Sequence, residues 1–561
     1  MSVVNRREFL LGSGVALRQT LRAAGRSSPF VFIDVAQQAG LTHPVIYGGI
    51  DTKKYILETN GCGIAFFDYD HDGWLDIFVP GGSRIDGAPA GATNRLYKNN
   101  RDNTFTDVTK KAGLERAVWA SGVCIGDYDN DGYDDLFISC WGQNILYRNN
   151  GDGTFTDVTE RSGLLHAKPA WGAGCTFIDY NRDGLLDLFV STYLQFDFKT
   201  APLPGAAENC MWKGISVNCG PKGLPTGRNF LYRNNGDGTF TDVSEASGIS
   251  KPDGRYGMTA GAADFDDDGW PDIYVACDST PSILYKNLHD GTFTDVALEA
   301  GVAYNEDGRA QAGMGIAIGD ATGQGRLDIF KTHFADDTPI LYRNKGGTLF
   351  EDITSRAGLG ALTRYVGWGA GLADFDNDGH LDLFVVNGSV YPEIQQHFAG
   401  IKYKNPRLLL RNLGDGTFEN RSEQSGPGIT DPHSSRGCAF GDFDNDGDID
   451  VVIMNMNEPP SLLRNDTSTE NHWLKLKLIG TKSNRSAIGA TVWVTADGRR
   501  RRQDVLSQSS FYSQNDLRLH FGLGQAAKAD VIEIRWPSGL VEMYKNLKAD
   551  RIVVMREGAA R

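Results

Sequence analysis

One acidic string recurs along this chain in the register D-x-D-x-D-G-x-x-D, and its first copy reads Asp68-Tyr69-Asp70-His71-Asp72-Gly73-Trp74-Leu75-Asp76. Carboxylates at positions 1, 3 and 5 converge when such a segment turns tightly, and Gly73 permits the turn. The carbonyl of Trp74 adds a neutral oxygen and Asp76 closes the shell, which makes hard oxygen coordination suited to Ca2+. A helical calcium loop carries its closing Glu at position 12. Here the closing Asp stands at position 9 and Ile77-Phe78-Val79, a strand, follows at once.

The same ligands recur as Asp127, Asp129, Asp131 and Asp135 with the carbonyl of Tyr133, and as Asp179, Asn181, Asp183 and Asp187 with that of Leu185. They recur again as Asp264, Asp266, Asp268 and Asp272 with Trp270, as Asp374, Asp376, Asp378 and Asp382 with His380, and as Asp442, Asp444, Asp446 and Asp450 with Asp448. The fifth of the seven copies, Asp320-Ala321-Thr322-Gly323-Gln324-Gly325-Arg326-Leu327-Asp328, has lost two carboxylates and gained a cation. It is expected to stay metal-free, with Arg326 supplying the missing charge. Four like charges held this close repel strongly without a cation, so about six Ca2+ ions are expected. They would offset 12 of the 15 excess negative charges of the chain.

The elements that must position these loops follow from the repeat itself. The seven acidic strings begin 59, 52, 85, 56, 54 and 68 residues apart. A second string, LYRN or a close variant, starts at Leu96, Leu146, Leu231, Leu284, Leu341, Leu409 and Leu462. A third, Phe-x-Asp-Val or a close variant, starts at Phe105, Phe155, Phe240, Phe293, Phe350 and Phe418, and its seventh copy is displaced to Phe32-Ile33-Asp34-Val35 at the other end of the chain. Each repeat reads as four short strands, for example Gly122 to Ile125, Asp135 to Ser139, Asn144 to Arg148 and Thr154 to Val158. A chain that enters partway through one repeat and leaves its last repeat unfinished suits a closed ring whose ends share a sheet, because closure removes exposed strand edges. The expected fold is therefore all-β: a seven-bladed β-propeller over residues 30–466, then a small β-sandwich-like domain over 467–561.

These strings resemble the FG-GAP/VCBS-type repeats of integrin-like propellers, and the resemblance implies Ca2+ in the acidic loops. After Asn471, the segments His472 to Leu476, Ser483 to Ala490, Phe521-Gly522-Leu523-Gly524 and Trp536-Pro537-Ser538-Gly539 are similar to the ASPIC/UnbV domain of the cartilage acidic protein family. That resemblance implies an extracellular calcium-binding protein, or an accessory protein of bacterial secondary metabolism, and more architecture than chemistry.

The remaining features narrow the function. A net charge of −15 opposes phosphate backbones, so no nucleic-acid partner is expected, and no apolar run is long enough for a membrane helix. Arg6-Arg7 with the short run Phe9 to Leu17 resembles a twin-arginine export signal over residues 1–29, implying a periplasmic or secreted protein. The 85-residue interval marks an insertion at 193–228 in which Cys210 and Cys219, with eight residues between them, are expected to form a disulfide. Cys62, Cys124, Cys175 and Cys438 read as inert small core residues, and Trp119, Trp171 and Trp368 as packing between blades. Arg499 to Arg502 follow a turn at Asp497-Gly498 and read as an exposed basic hairpin, or else as a dock for an acidic glycan or for the propeller's own acidic rim. The ends of the second strands, Gly81, Cys140, Thr192, Cys277, His333, Asn387 and Asn455, would ring one mouth of the channel. No H-E-x-x-H, G-x-S-x-G or G-x-x-x-x-G-K occurs. The expected function is an exported binding module for an extracellular protein or glycan. The alternative is an enzyme or biosynthetic accessory with a site at the propeller mouth near His333, Cys277 and Cys140.

Overall fold

The computed structural model describes residues 30–560; the export reading of residues 1–29 lies outside them. Seven four-stranded antiparallel blades follow one another. The first is Ala65–Phe67, Asp76–Val79, Arg95–Asn99 and Phe105–Asp107, and the seventh is Ser435–Gly441, Asp450–Asn455 and Ser461–Asn465 completed by Phe32–Asp34 from the start of the chain. Phe32 pairs with Asn465 and Asp34 with Leu463, as the displaced repeat requires. The innermost strands pack side by side through all seven blades and the last meets the first, so the ring is closed.

The ring is tied together by the Asn that ends each LYRN string. Its backbone N–H donates to the closing Asp of its own blade, at 2.8–2.9 Å in all seven. Its side-chain amide donates to a carbonyl in the acidic loop of the preceding blade: Asn149 to Tyr69, Asn234 to Tyr128, Asn287 to Tyr180, and across the closure Asn99 to Phe443. Buried carbonyls need such partners; six of the seven Asn amides serve two carbonyls, and Asn465 serves that of Phe375.

Residues after 467 build two sheets. One places His472–Ile479 between Leu519–Gly524 and Arg551–Arg556; the other runs in the order Arg499–Asp504, Thr491–Ala496, Lys528–Arg535 and Val541–Lys548. Their apolar faces share one core with blades two and three, where Leu476, Val492, Ile532 and Trp536 meet Phe137, Phe177 and Leu188.

A loop of this domain fills the propeller channel. Ser507 to Asn515 reach the inner strands of every blade: Gln514 exchanges backbone bonds with Ile64 and Phe66, and Val123 donates to the Tyr512 carbonyl at 2.9 Å. Gln508 accepts from Cys175 at 3.0 Å, Tyr512 reaches the Met258 sulfur, Ile316 donates to the Ser510 carbonyl, Phe511 packs edge-on to Trp368 and Asn515 accepts from Phe440. Cys62, Cys124, Cys175 and Cys438 line these inner strands and are fully buried, and burial pushes the Cys438 thiol up to about 12. Trp119, Trp171 and Trp368 are buried packing residues; Arg436 stacks on Trp368 at 4.1 Å.

Asn234 tests the tie between blades, since its amide serves the carbonyls of Tyr128 and Leu186 at 2.8 and 3.0 Å. Asn234→Leu is expected to lower unfolding free energy by about 3 kcal/mol, because two buried carbonyls lose their donors. Replacing the exposed neighbour Asn235 should change it by less than about 1 kcal/mol. Equal effects in a denaturant titration would refute the role assigned to Asn234.

Candidate metal centres

The acidic loops share one backbone scaffold. In the six complete loops the fourth and sixth residues are left-handed, as in Asn130 (φ 56°) and Gly132 (φ 102°) of the second. This bend aims the amides of the fifth and sixth residues at the first Asp: Asp131 and Gly132 donate to the two oxygens of Asp127 at 3.0 and 2.7 Å. The same pair of bonds occurs in all seven loops, the fifth included, so the shape of the loop needs no ion.

Within that scaffold the carboxylates converge. Among the described residues, five trios each place one oxygen per residue within 4.8 Å of one another: Asp68, Asp70, Asp76; Asp127, Asp129, Asp135; Asp264, Asp266, Asp268; Asp374, Asp376, Asp382; and Asp442, Asp444, Asp450. The third loop is not among these trios because its middle ligand is Asn181, whose amide donates to Asp183 at 2.8 Å. The seventh residue of each complete loop, such as Trp74 or Tyr133, donates its N–H to the carboxylate of the fifth.

Several ligand oxygens are buried without a hydrogen-bond partner: Oδ1 of Asp70, Asp376 and Asp444, and Oδ2 of Asp272. A buried carboxylate oxygen with no donor is costly, and a divalent cation is the partner that this geometry accommodates. Burial pushes the closing residues Asp76, Asp135, Asp187, Asp272, Asp382 and Asp450 well above the usual carboxylate range. Burial, reinforced by Asp134, takes Asp127 to about 8, and burial reinforced by Asp183 takes Asp179 to about 7.

The fifth loop resolves its missing ligands differently from the sequence expectation. The Thr322 hydroxyl and N–H both donate to Asp328 Oδ2 at 2.9 Å, filling the place where other loops aim a carboxylate. Arg326 instead lies against Gly346, and the charge near this loop comes from Arg502, whose guanidinium reaches the Gly325 carbonyl.

Two sets of cations border the loops; sequence reasoning did not single out the first, and for the second it offered only the arginine run, with the propeller's own acidic rim as one alternative dock. The first is the Lys or Arg of LYRN. Arg148 bonds Asp129 and Asp131 at 2.6 and 2.7 Å, Arg411 bonds Asp376 and Asp378 at 2.9 and 2.8 Å, Lys98 holds Asp70 and Asp72, and Lys286 holds Asp266. In the fifth blade the equivalent Arg343 turns to Glu351, its loop offering no middle carboxylate. The recurrence of a cation at this place was the available signal.

The second set comes from the C-terminal domain, which docks on the acidic-loop face. Lys475 pairs with Asp442 at 2.5 Å with both side chains fully buried; Arg535 pairs with Asp264 at 2.7 Å and Arg502 with Asp267 at 2.6 Å. Arg501 packs over Gly379 of the sixth loop. The arginine run is therefore no simple exposed hairpin: Arg499 and Arg500 remain exposed, whereas Arg502 is 2% exposed against the propeller's own acidic rim.

The ring of second-strand ends does not form an open mouth. All seven residues are buried, and Asn387 and Asn455 spend their amides on nearby carbonyls of Pro406 and Pro459. Cys277 sits in the core between blades three and four, Cys140 in a separate cluster, and burial takes both thiols to about 12. They do not converge with His333. Cys210 and Cys219 are disulfide-bonded, as expected.

Comparisons with known proteins agree with this architecture. The family model described as FG-GAP-like repeat matches residues 68–138, 127–190, 223–275, 264–331, 320–385 and 399–453, and one described as ASPIC and UnbV matches residues 480–561. The chain is 28% identical over 311 residues to human cartilage acidic protein 1, covering 53% of this chain and 43% of that protein. It is 24% identical over 506 residues to the mouse protein, covering 85% and 70%. The match thus spans less than half the length of the human relative. Among solved structures it is similar to the BP39L lectin of Burkholderia pseudomallei, at 10% identity and TM-score 0.43, covering 73% of this chain and 98% of that one. It is also similar to an Agrocybe aegerita lectin that recognises non-reducing terminal N-acetylglucosamine, at 16% identity and TM-score 0.37, covering 72% and 95%.

The raised carboxylates make a pH prediction. The folded, ion-free protein holds these protons more tightly than the unfolded chain, so its stability rises as pH falls through the raised values of about 8 for Asp127 and about 7 for Asp179 and Asp444. In chelator, Tm is expected to rise from about pH 8 to about pH 6, while the extra stabilisation by a divalent cation shrinks because protons compete for its ligands. A cation effect that grows as pH falls would contradict these assignments.

Proposed function

The chain belongs to the FG-GAP-repeat and ASPIC/UnbV family that includes cartilage acidic protein 1, and on that premise we propose that it is an exported, calcium-stabilised binding module for an extracellular protein or glycan. The reading rests on the buried carboxylate trios with unpartnered oxygens, because they give a rigid ring whose cohesion draws on a bound ion. We assign as ligands the Asp and Asn carboxyl or amide oxygens of the six complete loops and the carbonyls of Trp74, Tyr133, Leu185, Trp270, His380 and Asp448. All are hard oxygens, several per site, on loops with unequal spacing, a set that suits Ca2+ better than the strictly octahedral Mg2+. Bound Ca2+ would supply the positive charge that lets these carboxylates stay ionised in a buried place.

Export is supported by the Cys210–Cys219 disulfide, which belongs in an oxidising compartment, and by the paired Arg6 and Arg7. No helix among the described residues is long and apolar enough to cross a membrane. With the channel filled by Ser507 to Asn515, the surfaces left for a partner are the rims, and the longest loops stand on the rim opposite the C-terminal domain.

Elemental analysis of the purified protein is expected to find about six calcium ions per chain. Each independent site adds about 2.7 kcal/mol at a hundredfold excess over Kd, so chelation should lower Tm by many degrees. Asp129→Ala should remove one ion, whereas Thr322→Ala in the fifth loop should remove none. Unchanged stoichiometry in Asp129→Ala, or a melting curve insensitive to chelator, would refute the calcium assignment.

A further inference from the structure

The two longest intervals between acidic strings, 85 and 68 residues, arise in blades three and six, and their extra residues meet at one place. A loop joining the second and third strands of a blade emerges opposite the loop joining its first and second. Both insertions therefore lie on the face away from the acidic loops and the C-terminal domain. Together they enclose a cavity of about 200 Å³, walled by Trp212 and Lys213 from the disulfide-closed insertion, Arg364 and Tyr365 before the first strand of blade six, and Tyr391 and Lys402 from its long loop.

The chemistry of the walls is specific. Trp212 lies 5.9 Å from Tyr391 and edge-on to Phe398 at 6.2 Å, so its ring is held in place. Lys213 is already engaged with Asp336 at 2.7 Å and its ammonium stands over one face of the Trp212 ring at 4.7 Å, so a ligand would meet the opposite face or the edge of that ring. Arg364 and Lys402 are exposed, and among the described residues neither is ion-paired; Arg364 rests over Tyr365 at 5.3 Å. On a chain carrying −15, this is a concave site with two uncommitted cations and flat aromatic walls. Cations select a carboxylate, and aromatic faces accept the C–H faces of a sugar ring. A peptide bound as a strand or a helix would need an open strand edge or a long groove, and an acidic peptide recognised by its charge alone is separated from a uronate by the polyglutamate arm of the test.

We propose that this pocket binds a uronic-acid residue of an acidic polysaccharide, with Arg364 and Lys402 on the carboxylate and Trp212 against the ring. The proposal rests on the binding-module reading above and gives that reading a place and a ligand class. Because the insertion is closed by its disulfide and packed on Tyr391, little ordering cost accompanies binding.

The test uses the calcium-loaded full chain with oligogalacturonate and oligoglucuronate, their neutral galactose and glucose counterparts, and polyglutamate. Uronate oligosaccharides are expected to bind, the neutral ones at least about tenfold more weakly, with affinity falling as salt rises. The Arg364→Ala/Lys402→Ala double variant changes only exposed side chains; it should keep the parental Tm and lose at least about tenfold in affinity. Trp212→Ala should lose affinity for both uronates. Undiminished binding by the double variant, or preference for polyglutamate, overturns the proposal. Failure to bind either uronate also overturns it, and if the protein then still captures other extracellular proteins or glycans the binding-module reading survives, whereas loss of all capture removes both.

Discussion

Each blade depends on one buried carboxylate. The closing Asp of the acidic loop is almost fully buried in every blade; one of its oxygens receives the N–H of the LYRN Asn, and its other oxygen turns back into the loop. That Asn in turn holds the loop of the preceding blade through its side chain. A candidate metal ligand, a strand pairing and an inter-blade bond therefore meet at one Asp–Asn pair. Disturbing the charge balance at any loop is felt in two blades, and because the ring is closed no blade is an end at which the disturbance can be relieved.

The same carboxylates recruit the C-terminal domain. An acidic rim repels itself, and the domain answers with Lys475 on the seventh loop and with Arg502 and Arg535 on the fourth. A buried ion pair such as Lys475–Asp442 contributes little net stability but is costly to break, so it fixes where the domain sits more than how tightly. Held there, the domain can thread Ser507 to Asn515 into the channel, where small inner-strand residues leave room for it. The loop accepts left-handed backbone at Gln508, Ser510 and Tyr512, a conformation that the hydrogen bonds and ring packing to the seven blades maintain. Filling the axis moves any recognition outward, to the loops of the opposite face.

What could be read from sequence was whatever repeats locally. The acidic loops, the strands they lead into, the displaced Phe32–Asp34 strand and the Cys210–Cys219 disulfide all follow from spacing and residue type within a few dozen positions. The plug does not, because Gln508 and Cys175 are 333 residues apart and Ser507 to Asn515 show no periodicity. The roles of Asn149 and Arg148 were hidden for a related reason: the strings were visible, but their partners lie in another blade or across a hairpin. The run Arg499 to Arg502 left an exposed hairpin and a dock on the propeller's acidic rim both open, and only the fold, by bringing Asp267 of blade four to Arg502, separates the buried arginine from its exposed neighbours. Val541–Lys548, a strand with alternating exposed residues at a sheet edge, carries too little apolar pattern to be read in advance.

On the calcium proposal, ion occupancy, ring cohesion and the seated plug form one linked system. Native-state hydrogen exchange, followed with saturating calcium and then with chelator, tests it directly. Chelation is expected to speed exchange at the amides of Asn99, Asn149, Asn234, Asn287, Asn412 and Asn465, which donate to the closing Asp residues, and at Val123, Cys175 and Ile316, which donate to the plug. Asn344, beside the loop that Thr322 completes, should change least. Faster exchange confined to the exposed tips of the acidic loops, with these amides unaffected, would contradict it.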